Sequence, residues 1–196
     1  QSRVNITNLN KYLQVLQTLN IIGREYPVTQ PPKKRNFLYI IKDNFFRFWL
    51  TYIYPRMEQI EENPDTVLAH IKKEYPHYMG PIFEQICRKM MQKTGYTPVG
   101  RWWHKDKEID IVALNQPQNK ILLGECKWSR HPVNLQVLRN LEQKSTHIPW
   151  RKKKRTEVYA LFSKSGFTKR IKTLQRKNLL LYDLKQLQKL THHRHQ

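Results

Sequence analysis

Glu108-Ile-Asp-Ile-Val-Ala-Leu114, the loop Asn115-Gln-Pro-Gln-Asn119 and Lys120-Ile-Leu-Leu-Gly-Glu-Cys-Lys-Trp128 read as two apolar strands that carry three acids and a lysine. An ionised carboxylate in a buried strand costs on the order of several kcal/mol unless it is paired, hydrogen-bonded or bound to a metal. The charges therefore mark a site. Side chains two apart on a strand share a face, which groups Glu108 with Asp110 and Glu125 with Lys127. If the loop closes an antiparallel hairpin, Leu114 sits near Lys120 and Asp110 falls opposite Gly124, one residue from Glu125. Two carboxylates then converge, and oxygen donors with room for waters and a phosphate suit a hard divalent ion, Mg2+ or Mn2+.

An acid on one strand followed on the next by acid, any residue, lysine resembles the motif of the PD-(D/E)XK nuclease superfamily, matched here by Asp110 and by Glu125-Cys126-Lys127. Ile109 stands where that motif has proline. The resemblance implies that Asp110, Glu125 and the carbonyl of Cys126 ligate the metal. Lys127 would hold an attacking water or offset charge on a pentacovalent phosphorus. A preceding helix in the superfamily often adds an acid. Gly80-Pro-Ile-Phe-Glu-Gln-Ile-Cys-Arg-Lys-Met-Met91 reads as such a helix, with Ile82, Phe83, Ile86 and Met90 at helical spacing and Glu84 beside that face. Glu84 and Glu108 are thus auxiliary catalytic candidates. Glu-x-Lys alone is also what a salt-bridge network on an edge strand would show. The conjunction of spacing, hairpin, apolar surroundings and a basic remainder favours the site.

The formal charge of the 196 residues is +21. Its distribution says more than its size: 18 Lys and Arg stand against three acids from Lys127 onward, which is +15, leaving +6 for the preceding residues. A basic surface beside a phosphodiesterase centre attracts a polyanion, so nucleic acid is the expected partner. The run Arg151, Lys152, Lys153, Lys154, Arg155 is the first candidate for backbone contact. Trp102 and Trp103 are placed either to stack on an unpaired base or to close the end of a core. Two cysteines, Cys87 and Cys126, suggest no disulfide framework. With no apolar run of membrane length and no signal-like start, the expectation is a cytoplasmic protein away from membranes. His192, His193 and His195 read as a tail, and a start at Gln1 without methionine reads as a fragment.

Leu9, Tyr12, Leu13, Leu16 and Leu19 form a helical stripe with Thr7 or Asn8 available as N-cap. A strand, the basic Pro-rich loop Pro27–Asn36 and a returning strand Phe37–Lys42 follow. Helix plus ribbon resembles the back half of a winged helix, with Lys33, Lys34 and Arg35 at the tip as candidate phosphate contacts. Asp43-Asn-Phe-Phe-Arg-Phe-Trp49 reads locally as a capped amphipathic helix start with its aromatics buried. The same segment is similar to one in the C-terminal regions of archaeal and bacterial ATPases of the AAA/STAND type, where a nuclease-like domain follows a winged helix. No Gly-x-x-x-x-Gly-Lys-Ser/Thr loop occurs, so an ATPase domain would lie outside these residues.

After the hairpin, Pro132–Lys144 is helical, Glu157–Phe162 a strand, Phe167–Arg176 a helix and Leu179–Tyr182 a strand, with Asp183 capping a last helix. Gln136 and Lys144 offer auxiliary polar groups. The expected fold is α/β, a restriction-endonuclease-like mixed sheet flanked by helices. It is preceded by a partial winged helix over 1–55 and a helical connector over 56–77, which leaves 78–196 for the nuclease-like domain. Functionally the sequence points to a metal-dependent DNA phosphodiesterase attached to an ATPase, with a homodimer among the arrangements that cut both strands. The alternative is a catalytically silent DNA-binding or regulatory module on the same ATPase.

Overall fold

The chain divides into two units, Gln1–Glu25 with Lys33–Tyr75 and Tyr26–Pro32 with Pro76–Gln196; the computed structural model describes residues 6–32 and 35–192. In the first unit, helix α1 (Ile6–Thr18) precedes an antiparallel ribbon of β1 (Ile22–Glu25) and β2 (Leu38–Ile41). Ile6, the first described residue, is already helical, so Thr7 and Asn8 lie within α1. Leu9, Tyr12 and Leu19 are exposed rather than core, while Leu13 and Leu16 are half-buried; a ribbon of two four-residue strands is too small to cover the whole stripe. Helix α2 (Asn44–Phe48) is capped as expected, Asp43 Oδ1 accepting from the Phe46 amide at 3.0 Å. Its aromatics are not the core of the unit: Phe45 and Phe46 are exposed, and Tyr52, on the π-helical turn that follows, is buried.

Helix α3 (Met57–Glu62) leads to α4 (Pro64–Gln92), and the division between units falls inside α4 at Tyr75 and Pro76. Asn63, not Asp65, serves its first turn, accepting from the Thr66 amide at 3.2 Å. Pro76 and Pro81 stand inside the helix instead of punctuating it. An internal proline costs about 3 kcal/mol. Burial of Phe83, Cys87, Met90 and Met91 along one side of the second unit's part of the helix offsets that.

The second unit is a mixed α/β layer structure. Five strands, β3 (Val99–His104), β4 (Lys107–Asn115), β5 (Lys120–Lys127), β6 (Thr156–Ser163) and β7 (Leu179–Asp183), lie in that order. The first three pair antiparallel and the last three parallel, with α5 (Leu135–Ser145) and α6 (Lys169–Lys172) in the crossovers and α7 (Leu184–His192) at the end. One face of the sheet packs Ile121, Leu123 and Leu161 against Leu138, Leu141 and Ile171. The other packs Ile111, Leu122, Ala160 and Phe162 against Phe83, Cys87, Met91 and Leu187. Trp102 is part of the first core, so it is closed to base stacking. Asp183 caps α7 reciprocally with Gln186. Only Lys169–Lys172 of the segment expected as a helix over Phe167–Arg176 is helical, because Phe167 is held extended in a bridge to Val133. No helix among the described residues is long and apolar enough to cross a membrane.

The β4–β5 hairpin differs from the expected register by one residue. Asn115 pairs with Lys120 and Ile111 with Gly124. The cause is the turn: the Asn115 side chain accepts from the Gln118 amide at 3.1 Å, and Asn119 adopts φ +49°, so Asn115 belongs to the strand and the loop shortens to four residues. Gly124 lets the strands close on one another. A Cβ there would lie 2.9 Å from Ile111 Cβ and 3.1 Å from the Phe162 ring, both immobile core groups. Gly124→Ala should therefore cost about 1–3 kcal/mol, read as a lowered urea midpoint; an unchanged midpoint would mean that the strands can part freely.

Candidate active site

Where the β4–β5 ladder ends, the charged side chains meet. Glu125 is 7% exposed, and both of its oxygens are engaged, Oε1 by Lys127 Nζ at 2.8 Å and Oε2 by Lys144 Nζ at 3.1 Å. Lys127 comes from the same strand, two residues on, and Lys144 reaches over from the last turn of α5. Asp110 Oδ2 accepts from the Cys126 amide at 2.8 Å. Burial, then the negative charges of Glu125 and Glu84, push the Asp110 carboxyl up to about 7, against the Cys126 hydrogen bond and the Lys127 charge. For Lys127, burial favours the neutral amine, but the charge and hydrogen bond of Glu125 outweigh it and its pKa rises. It is a fixed cation and not a base.

Glu84 lies on α4, paired with Arg88 at 3.3 Å, and burial raises its pKa despite the arginine. Arg88 also donates to the Asp110 carbonyl at 2.8 Å, which ties the helix to β4 at the acid itself. Glu84-x-x-x-Arg88 is the spacing of a helical ion pair, and that signal was available in the sequence. Glu108 is held by Arg101 on β3, with its Nε at 3.0 Å and with a second guanidinium nitrogen, and the charges of both reach Glu84. Gln136 is exposed and bonds Asn140 on α5, while Lys144 of that helix reaches Glu125. The Cys126 side chain turns to the opposite face, among Cys87 and Phe83.

Asp110, Glu125 and the Cys126 carbonyl are hard oxygen donors. N–H and C=O of one strand residue address the same neighbouring strand, so the carbonyl lies on the Asp110 edge of β5. Among the described residues no group of three or more His, Cys, Asp or Glu surrounds one point. The donor set fits an ion of the magnesium type, which takes one or two carboxylates and keeps its waters for a phosphate.

The candidate phosphate contacts are divided between the two units. Lys33 and Lys34, like His193 and His195, lie outside the described residues, and Arg35 is exposed in the first unit. Arg151, Lys152, Lys153 and Lys154 are exposed beside the hairpin turn, Arg151 donating to the Gln116 carbonyl at 2.8 Å and stacking on Trp150. Arg155 is an internal residue with a side chain 1% exposed, donating to Glu157 and to the carbonyls of Ser145, Ile148 and Trp150. No phosphate can reach it. The whole run is at the Lys120 end of the sheet, five residues from Glu125 along β5, or about 16 Å at strand rise.

The end that holds Glu125 carries a different set of cations. The loop after β5 and the loop after β6 are sewn together: Lys164 N bonds the Lys127 carbonyl at 3.1 Å, Ser165 Oγ the Ser129 carbonyl at 2.6 Å, and Val133 N the Gly166 carbonyl at 2.9 Å. Lys164 lies 4.8 Å over Trp128. Arg130, His131, Lys164, Lys169 and Arg170 are all exposed along this double loop. They are scattered in sequence, so no charge run announced them.

A mixed α/β unit with an acid-acid-lysine centre thus defines the class. The chain belongs to the family DUF234, described as archaea bacterial proteins of unknown function, whose pattern matches residues 49–147. That interval contains Glu84, Arg88, Asp110, Glu125, Lys127 and Lys144. The chain is also similar to an uncharacterized protein of Methanocaldococcus jannaschii, 35% identical over 130 residues, which is 62% of this chain and 29% of the relative. The chain therefore spans under a third of that relative's length. No solved structure matches.

The raised Asp110 carboxyl predicts a pH effect on stability. The unfolded chain ionises near 3.8 and the folded one near 7, so the unfolded state sheds its proton first and stability falls as pH rises through that window. Asp110→Asn should stabilise the metal-free protein by roughly 4 kcal/mol at pH 8 and by almost nothing at pH 3.5. Denaturant melts at the two pH values check it; an equal gain at both would show that the ionised carboxylate carries no such penalty.

Proposed function

We propose that this chain is a Mg2+- or Mn2+-dependent DNA phosphodiesterase of the PD-(D/E)XK type, with a restriction-endonuclease-like second unit. The observation that carries this is the buried Glu125 carboxylate, flanked by Lys127 and lying in the field of Asp110 at the end of one hairpin. A purely structural ion pair is an expensive use of a buried carboxylate. Asp110, Glu125 and the Cys126 carbonyl would hold the metal, which supplies Lewis acidity and an acidified water when bound. Lys127, kept protonated by Glu125, offsets the charge that develops on phosphorus. Arg88 fixes Asp110 from α4, and Glu84 adds negative charge within reach of the same acid.

DNA as substrate is supported by the concentration of charge after Lys127 and by the double loop of Arg130, Lys164, Lys169 and Arg170 beside the centre. The helix and ribbon of the first unit are read as part of a winged helix, and the greater length of the M. jannaschii relative leaves room for an ATPase domain to which this region is attached. A second reading, a silent DNA-binding module of the same assembly, draws on the two lysines that compensate Glu125.

Labelled single-stranded, duplex and branched DNAs separate the two. Cleavage that requires Mg2+ or Mn2+ and falls at least about 100-fold in Glu125→Ala and Lys127→Ala, with binding retained, is expected. Tight binding without cutting under either metal would establish the silent module. Binding should also report which cations are used. Replacing Arg130, Lys164, Lys169 and Arg170 by alanine should lower the slope of log affinity against log salt by about 0.9 per lost phosphate contact on a short duplex, and replacing Arg151–Lys154 should leave it unchanged. The reverse pattern would move the DNA to the other end of the sheet.

A further inference from the structure

Glu125 is compensated by two ammonium groups where its single charge requires one. Lys127 is fixed to Oε1 by its place on the strand, two residues on. Lys144 has no such tether: it extends from α5 to Oε2, nineteen residues away in sequence, with a side chain 30% exposed against 9% for that of Glu125. A lysine in the last turn of a helix is already well placed for the helix dipole without a carboxylate partner. Holding its stem still costs side-chain entropy. Its long stem and partial exposure give it a path out of the centre that Glu125 lacks. Any divalent ion that binds Glu125 must take an oxygen which an ammonium now holds. The Lys127 side chain is the more exposed of the two at 42%, but its place two residues along the same strand returns it to Oε1, so Oε2 is the oxygen whose partner is displaced.

We propose that Lys144 is the resident counter-cation of the centre, holding the Glu125 oxygen that a divalent ion takes and withdrawing to solvent as the ion enters. Lys144 therefore sets how much metal is needed to load the site. The inference rests on the metal-dependent reading of the same centre.

The test is Mn2+ binding to the chain, followed by electron paramagnetic resonance of the free ion and by calorimetry, without DNA. Removing the competing charge while keeping the stem, in Lys144→Met, should tighten Mn2+ binding about tenfold. Lys144→Arg, which keeps a cation on Oε2, should bind as the parent does. A lysine that merely braces α5 would give the opposite sign, with Lys144→Met binding no tighter or more weakly, and that result overturns the proposal. Lys144→Gln serves in the same role if Lys144→Met does not melt cooperatively. Glu125→Ala separates the two levels. If it abolishes Mn2+ binding while Lys144→Met is no tighter, only the role of Lys144 falls. If Mn2+ binds Glu125→Ala as well as the parent, or binds neither the parent nor Lys144→Met, the metal-dependent reading falls and this proposal with it.

Discussion

Beyond the Ile111–Gly124 pair, the Cys126 amide is met by a side-chain oxygen, that of Asp110. This contact holds an acid of one strand beside an acid of the next, where the ladder between them ends. It depends on the hairpin register, which the four-residue turn sets, and on Gly124, which lets β4, β5 and β6 approach. Arg88 then holds Asp110 by its backbone, so the acid is fixed from its carboxylate and from its carbonyl. The elevated pKa of Asp110 is the electrostatic cost of that confinement.

Much of this was legible in the residues. The apolar runs of Glu108–Leu114 and Lys120–Lys127 marked the strands, the interrupting charges marked the centre, and Asp43 and Asp183 marked their helix starts. What was not legible depended on turn chemistry or on groups distant in sequence. The register turned on a local Asn115 side-chain hydrogen bond, which moved the expected opposition of Asp110 and Gly124 by one residue. That α4 runs through Pro76 and Pro81 was hidden too, because burial of one helix side outweighs two weakened turns. Glu108 has the right parity to face the centre, but Arg101 claims it, and that pairing needs the β3–β4 alignment.

Charge was the least local property of all. A contiguous run of five cations is conspicuous, yet it lies at the far end of β5 from Glu125. The cations near Glu125 come from a pair of loops joined by backbone and serine hydrogen bonds, and only the parallel pairing of β5 with β6 brings them together. Parallel strands release their following loops at the same edge of the sheet, the place where open α/β sheets bind ligands.

Arg155 bears on how such a surface can be dissected. Its guanidinium gathers the carbonyls of Ser145, Ile148 and Trp150, the final turn of α5 and the chain just after it, onto Glu157 at the start of β6. Lys144 is the residue immediately before Ser145. A change at Arg155 would thus loosen the anchor of the helix end from which Lys144 reaches Glu125, and a defect near the carboxylates would arise from a residue at the Lys120 end of the sheet. The four neighbours preceding it in the run have no such reach. Charge-neutralising scans that treat the five as equivalent would mistake a displaced helix for a lost phosphate contact.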